Sequence, residues 1–169
     1  METLNLATEW AKAEVFSTRF FILFAILFLI ASIGFWQLGK TDLAKAYIIP
    51  TLVAGLLLMT IGLGLFFTNK SRVTQFEKAF NADAPAFFQS EMERTDSTLK
   101  EYTVVFKVIP ILMIVAALII LFINTPTWRA ISITTMAMLI VILLVDGTAY
   151  ARMNTYHKEL RLVDIENEI

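Results

Sequence analysis

Arg152 and His157 stand five positions apart in ARMNTYHKEL (151–160), and His157 is the single histidine of the chain. An imidazole near a guanidinium has an obvious chemical use. Histidine moves a proton near neutral pH, and arginine holds a phosphate through its planar fork of donors. A second pair, Lys107 and Asp146, places opposite charges inside otherwise apolar stretches. A charge at that depth marks either a structural bridge or an ion or proton path. Other chemistry is excluded by composition. Without cysteine there are no disulfides, thiolate metal sites or cysteine nucleophiles, and one histidine makes no multi-histidine centre. No cofactor and no metal are expected.

The six residues RMNTYH (152–157) resemble the active-site motif of HEPN-type ribonucleases, in which a dimer sets two Arg-x4-His pairs against one RNA phosphate. The resemblance implies a membrane-tethered ribonuclease with Arg152 and His157 as its catalytic residues. Those enzymes favour a polar residue directly after the arginine, where this chain has Met153. A similarly patterned stretch stands earlier in the chain. SRVTQFEK (71–78) aligns without gaps to ARMNTYHK (151–158), matching Arg72 to Arg152, Phe76 to Tyr156 and Lys78 to Lys158. Glu77 stands where the histidine does. What the two stretches share is a basic, aromatic-studded helix leaving a membrane. The expectation is therefore a non-enzymatic chain in which His157 is a solvated helix residue.

The elements that must position these groups are set by composition. Of 169 residues, 57% are hydrophobic and 17% charged, against about a quarter charged in a soluble domain. The net charge of −1 provides no basic field for nucleic acid, so none is expected as a partner. The apolar residues are gathered into four runs of about 20, enough to cross a bilayer. These are Phe20–Leu38, Tyr47–Thr68, Thr103–Ile123 and Ala130–Ala149. The fold class is all-α: one polytopic membrane domain over 1–169, a four-transmembrane-helix bundle. Ahead of the first span lie Glu2, Glu9 and Glu14 against Lys12 and Arg19, unlike the basic start of a secretory signal, so that span is expected to be retained. Only Lys40, Lys45 and Arg129 of the 14 basic residues fall on the side of the two short connections. The positive-inside rule then puts both termini and the middle segment in the cytoplasm of a multi-pass protein, in the manner of a bacterial inner membrane.

The cytoplasmic parts read as helices. Val73, Phe76 and Phe80 recur at three and four; Phe88, Met92, Thr95, Leu99, Tyr102 and Phe106 form a heptad-like seam running into the third span. Between them NADAP supplies a turn, with Asp83 as N-cap and Pro85 in the first turn. Residues 69–102 are thus expected to form a cytoplasmic helical hairpin. The 150–169 segment continues the fourth span with Met153, Tyr156, Leu160 and Val163 on one face. Residues 1–19 form an amphipathic helix with Leu6, Trp10 and Ala13 on one side, expected to pack on this bundle. Phe76, Phe80, Phe88, Met92, Leu99, Tyr156 and Leu160 make the seam through which the chain would assemble with itself or a partner. Gly34, Gly55 and Gly62 provide thin places for close helix packing in lipid.

Lys107 lies 19 residues before Pro126 and Asp146 lies 20 after it, so antiparallel neighbours would hold the two at one depth. A bridge fixing helix register is the expectation, with an ion path through Asp146 as its rival. At the level of function the sequence points to a membrane scaffold or accessory subunit in the lipid bilayer. The alternative is an oligomeric pore, channel or small transporter. Four spans with cytoplasmic termini and a short N-terminal helix resemble, in topology only, the large-pore channels of the connexin and pannexin type. Small multidrug transporters also have four spans but rely on a glutamate in the first, where this chain has no acidic residue.

Overall fold

A computed structural model describes residues 1–168, with side chains described through Val163. Four long helices and one short helix make up nearly all of it: α1 (Glu2–Leu38), α2 (Asp42–Ala46), α3 (Ile48–Ala82), α4 (Ala84–Phe122) and α5 (Pro126–Glu168). Each long helix has an apolar stretch long enough to cross a membrane. None is confined to that stretch. At 1.5 Å per residue, the 35 residues of α3 extend about 50 Å, well beyond a hydrocarbon core of about 30 Å.

The first difference from the sequence expectation is at the N-terminus. Residues 1–19 and the first span are one unbroken helix of 37 residues. No proline falls anywhere in α1 and no glycine before Gly34, so nothing breaks the backbone ladder where polar sequence turns apolar. The expected turn between α3 and α4 is present. Asp83 is N-cap of α4 and its carboxylate accepts from the Ala86 amide at 3.0 Å, with Pro85 in the first turn. Thr41 caps α2 in the same way through Ala44 at 3.1 Å.

α1 packs along α3, α4 along α5, and α1 also lies against α5; α3 touches α4 only lightly. Glycine explains the first of these contacts. A Cβ at Gly62 would come within 2.9 Å of the Phe21 Cβ, and one at Gly55 within 3.1 Å of the Ala25 carbonyl oxygen. Gly34 differs, since a Cβ there meets open space. Packing yields two apolar cores on one bundle axis. A head core gathers Trp10, Phe76, Phe87, Met153, Tyr156 and Leu160. A span core gathers Phe21, Ala25, Leu58, Val141 and Val145. Around the span core the outward residues, among them Ile30, Leu56, Ile114 and Leu144, are apolar and exposed. In water that surface would be costly at about 25 cal/mol per Å2.

Candidate functional site

Between the two cores lies a belt of polar side chains. On α4 the buried stripe runs Phe87, Glu91, Thr95, at spacings of four, so a carboxylate and a hydroxyl face the bundle where apolar residues usually stand. Glu91 is 3% exposed. Arg94, one turn along, holds both its oxygens, with Nε to Oε1 at 2.9 Å and Nη2 to Oε2 at 2.5 Å. Tyr156 of α5 donates its hydroxyl to the same Oε2 at 2.8 Å. Burial, and then the adjacent Glu91 carboxylate, push the Tyr156 phenol well above its ordinary range, keeping it a donor.

Trp10 joins this network to α1. Its ring stacks on Tyr156 with centroids 5.6 Å apart, and the Arg94 guanidinium lies 4.2 Å from its centroid. Arg72 of α3 also faces that ring, at 5.7 Å. Such contacts contribute about 1–2 kcal/mol each when water is excluded. The indole Nε1 is buried and has no hydrogen-bond partner among the described residues. One helical turn further, Glu14 accepts from Arg152 Nε at 2.9 Å, linking α1 to α5. Arg72 itself bonds the Asn69 side-chain oxygen at 2.8 Å and forms no ion pair among the described residues. Burial, then the positive charge of Arg94, lower its proton affinity, while Glu91 and Glu14 oppose that.

Trp10, Glu14, Asn69, Arg72 and Arg94 of this belt help wall a cavity of about 360 Å3 reached by all four long helices. Its head end presents Trp10, Glu14, Asn69, Arg72 and Arg94. Its span end presents Phe21, Ile61, Leu65, Val105 and Ile142, with Asp146 and Tyr102 between. Burial, then Glu14 and Asp146, raise the Tyr102 phenol above its ordinary range, so it too remains protonated.

The residues singled out from sequence have scattered fates. His157 is 7% exposed rather than solvated. Its Nδ1 lies 2.8 Å from the Thr95 hydroxyl oxygen and its Nε2 is 3.5 Å from Asp96. Because the Thr95 proton is directed to the Met92 carbonyl at 2.9 Å, the oxygen is left to accept from Nδ1–H. Arg152 turns instead to Glu14 on α1, so the two members of the Arg-x4-His pair engage different helices. Phe76, Tyr156 and Leu160 are buried in the head core, with Phe80, Phe88, Met92 and Leu99 half-buried against it. The seam residues thus pack against one another within the chain. Gly55 and Gly62 hold α1 against α3, as described above.

Lys107 and Asp146 are not brought together. Lys107 is exposed on the stripe of α4 that carries Val104, Ile111 and Ile114, all exposed as well. Asp146 faces the cavity, and among the described residues it has no ion pair and no hydrogen bond. The two share a depth but not a direction around the bundle.

Sequence reasoning passed over Trp10 as a site residue, together with Glu14, Asn69, Glu91 and Arg94, and placed Thr95 only on the α4 seam. One signal was present. Glu91 and Thr95 stand four apart in phase with Phe87, and Glu14 stands four after Trp10. No protein-family model, curated protein or solved structure matches this chain.

Proposed function

We propose that the chain is a non-enzymatic integral membrane protein that receives a small molecule at the cytoplasmic face of the bilayer. In this reading the four helices span the membrane and continue into the cytoplasm as a shared head. Both ends of the chain and residues 69–102 lie on that side, following the distribution of basic residues. It would act as a binding or accessory subunit whose assembly with a partner responds to the occupant. One observation carries the reading: a cavity between two packed cores, walled by all four long helices. An occupant there touches every span and the head together, which gives it leverage over both. The commitment of Arg152 and His157 to separate internal bonds supports a role without catalysis.

Ligand-induced stabilisation tests the proposal. In lipid nanodiscs, a library of cytoplasmic metabolites should contain members that raise the melting temperature. Val105→Phe, which fills the cavity from α4, should remove the shift while leaving the helical content intact. Melting that is indifferent to every compound contradicts the reading.

A small transporter is the second reading, and one feature favours it. A groove of about 570 Å3 lined by Lys45, Pro50, Leu57, Ile131, Thr134 and Met138 lies toward the far end of the bundle. Substrate flux into vesicles, absent from the Val105→Phe protein, would favour transport over binding alone.

A further inference from the structure

We infer that the junction cavity takes an organic ammonium compound with an apolar body and an oxygen acceptor, such as an amino alcohol, with Asp146 as counter-ion. The inference rests on the cavity being a binding site, as proposed above, and names the ligand class.

The charges around the cavity are unevenly matched. Glu14 has Arg152 at 2.9 Å, and Glu91 has Arg94 on both oxygens. Asp146 has neither a cation nor a donor among the described residues. It stands between the polar head end and the span end, where Phe21, Ile61, Leu65, Val105 and Ile142 line the cavity alongside Ser17, Thr18 and Tyr102. A carboxylate inside a span, facing a cavity and lacking a cationic neighbour, attracts positive charge. Among the described residues no group of three or more His, Asp or Glu side chains is gathered closely enough to hold a metal ion. The apolar side chains of the cavity suit the hydrocarbon body of an amine, whose ammonium would sit at Asp146.

A second, separate observation adds the oxygen. Trp10 lines the same cavity, is 7% exposed, and its indole N–H has no partner among the described residues. A buried donor left unsatisfied is destabilising. A hydroxyl or carbonyl beside the ammonium would relieve it. An anionic ligand could use Trp10 and Arg72, but it would meet Glu14, Asp146 and Glu101 on the same walls.

The test uses Trp10 as its own reporter. Replacing Trp36 and Trp128 by phenylalanine in the full chain leaves a single tryptophan. The protein in nanodiscs is titrated with phenylalaninol, with uncharged 3-phenylpropan-1-ol and with anionic 3-phenylpropanoate. Saturable change in Trp10 emission with phenylalaninol, at least tenfold tighter than with the other two, is expected. Asp146→Asn should weaken it at least tenfold, while Asp146→Glu should retain it; circular dichroism and elution volume establish that both variants are folded. 3-Phenylpropylamine, which lacks the hydroxyl, should bind several-fold more weakly.

Equal binding of the alcohol or the carboxylate, or indifference to Asp146→Asn, overturns the inference. If those probes bind and Val105→Phe abolishes them, the cavity remains a binding site and only the ligand class is wrong. Absence of saturable binding by the amine overturns the class too; the cavity reading then stands or falls on the metabolite library.

Discussion

His157 illustrates how much a side chain's meaning depends on its neighbours. On a helix end it is a solvated base; here it is enclosed between α5 and α4 and bonded to Thr95. Thr95→Val leaves the imidazole Nδ1–H unpartnered and should cost about 1–3 kcal/mol in reversible unfolding. The Glu91 centre is more strongly coupled, since one carboxylate serves Arg94 and Tyr156. Glu91→Ala should destabilise by about 3–5 kcal/mol, because it strands a mostly buried guanidinium, whereas Tyr156→Phe should cost about 2 kcal/mol. Lys107→Ala provides the contrasting case. Its side chain lies on the outward stripe of α4, exposed among apolar neighbours. A change within about 0.5 kcal/mol is expected, against the several kcal/mol that a bridge to Asp146 would require. Depth could be read from the sequence for this pair, because counting residues from the turn gives it. Azimuth was also encoded, in the apolar Val104, Ile111 and Ile114 around Lys107, but residue counting does not use it.

At the scale of the helix, apolar run length and turn chemistry were legible. Four runs near 20 residues gave four long helices, and Asp83 followed by Pro85 gave the α4 start. Periodicity identified the apolar faces of α3, α4 and α5, yet it could not say what covers a face. The head core uses them internally, with Trp10 of α1 completing the enclosure. Nor could periodicity separate residues 1–19 from the first span, since a helix continues until the backbone is broken. The carboxylate in the buried stripe of α4 stayed hidden for a further reason: Glu91 is a residue type associated with surfaces, and only its partners make burial tolerable. Packing of α1 on α3 depends on two glycines, and that dependence can be measured. Gly62→Leu should force the helices apart at Phe21 and Ile22 and cost about 1–3 kcal/mol. Gly34→Ala, facing open space, should be neutral or slightly stabilising through helix propensity. A comparable loss at both positions would mean that glycine there serves something other than α1–α3 contact.

For the whole molecule, the central idea is one continuous bundle divided by its surroundings. Under the proposed reading lipid would cover its apolar half and water its head half, with the polar belt at the boundary. The same chain that buries Leu58 in its span core leaves Leu56 and Leu57 facing outward, which is the arrangement lipid permits and water penalises. Coupling across the boundary should also be detectable. A double-mutant cycle on Glu14→Ala and Arg152→Ala should give a coupling of about 1–3 kcal/mol, since that bond ties the first helix to the last. The most direct measurement exploits the absence of cysteine in the native chain. Single cysteines at Lys40, Glu77 and Ser97, all exposed, can be probed in intact cells with a membrane-impermeant thiol reagent. Labelling of Lys40→Cys alone, with Glu77→Cys and Ser97→Cys reacting only after the membrane is opened, is the predicted result. Labelling at 77 or 97 from outside intact cells would contradict it.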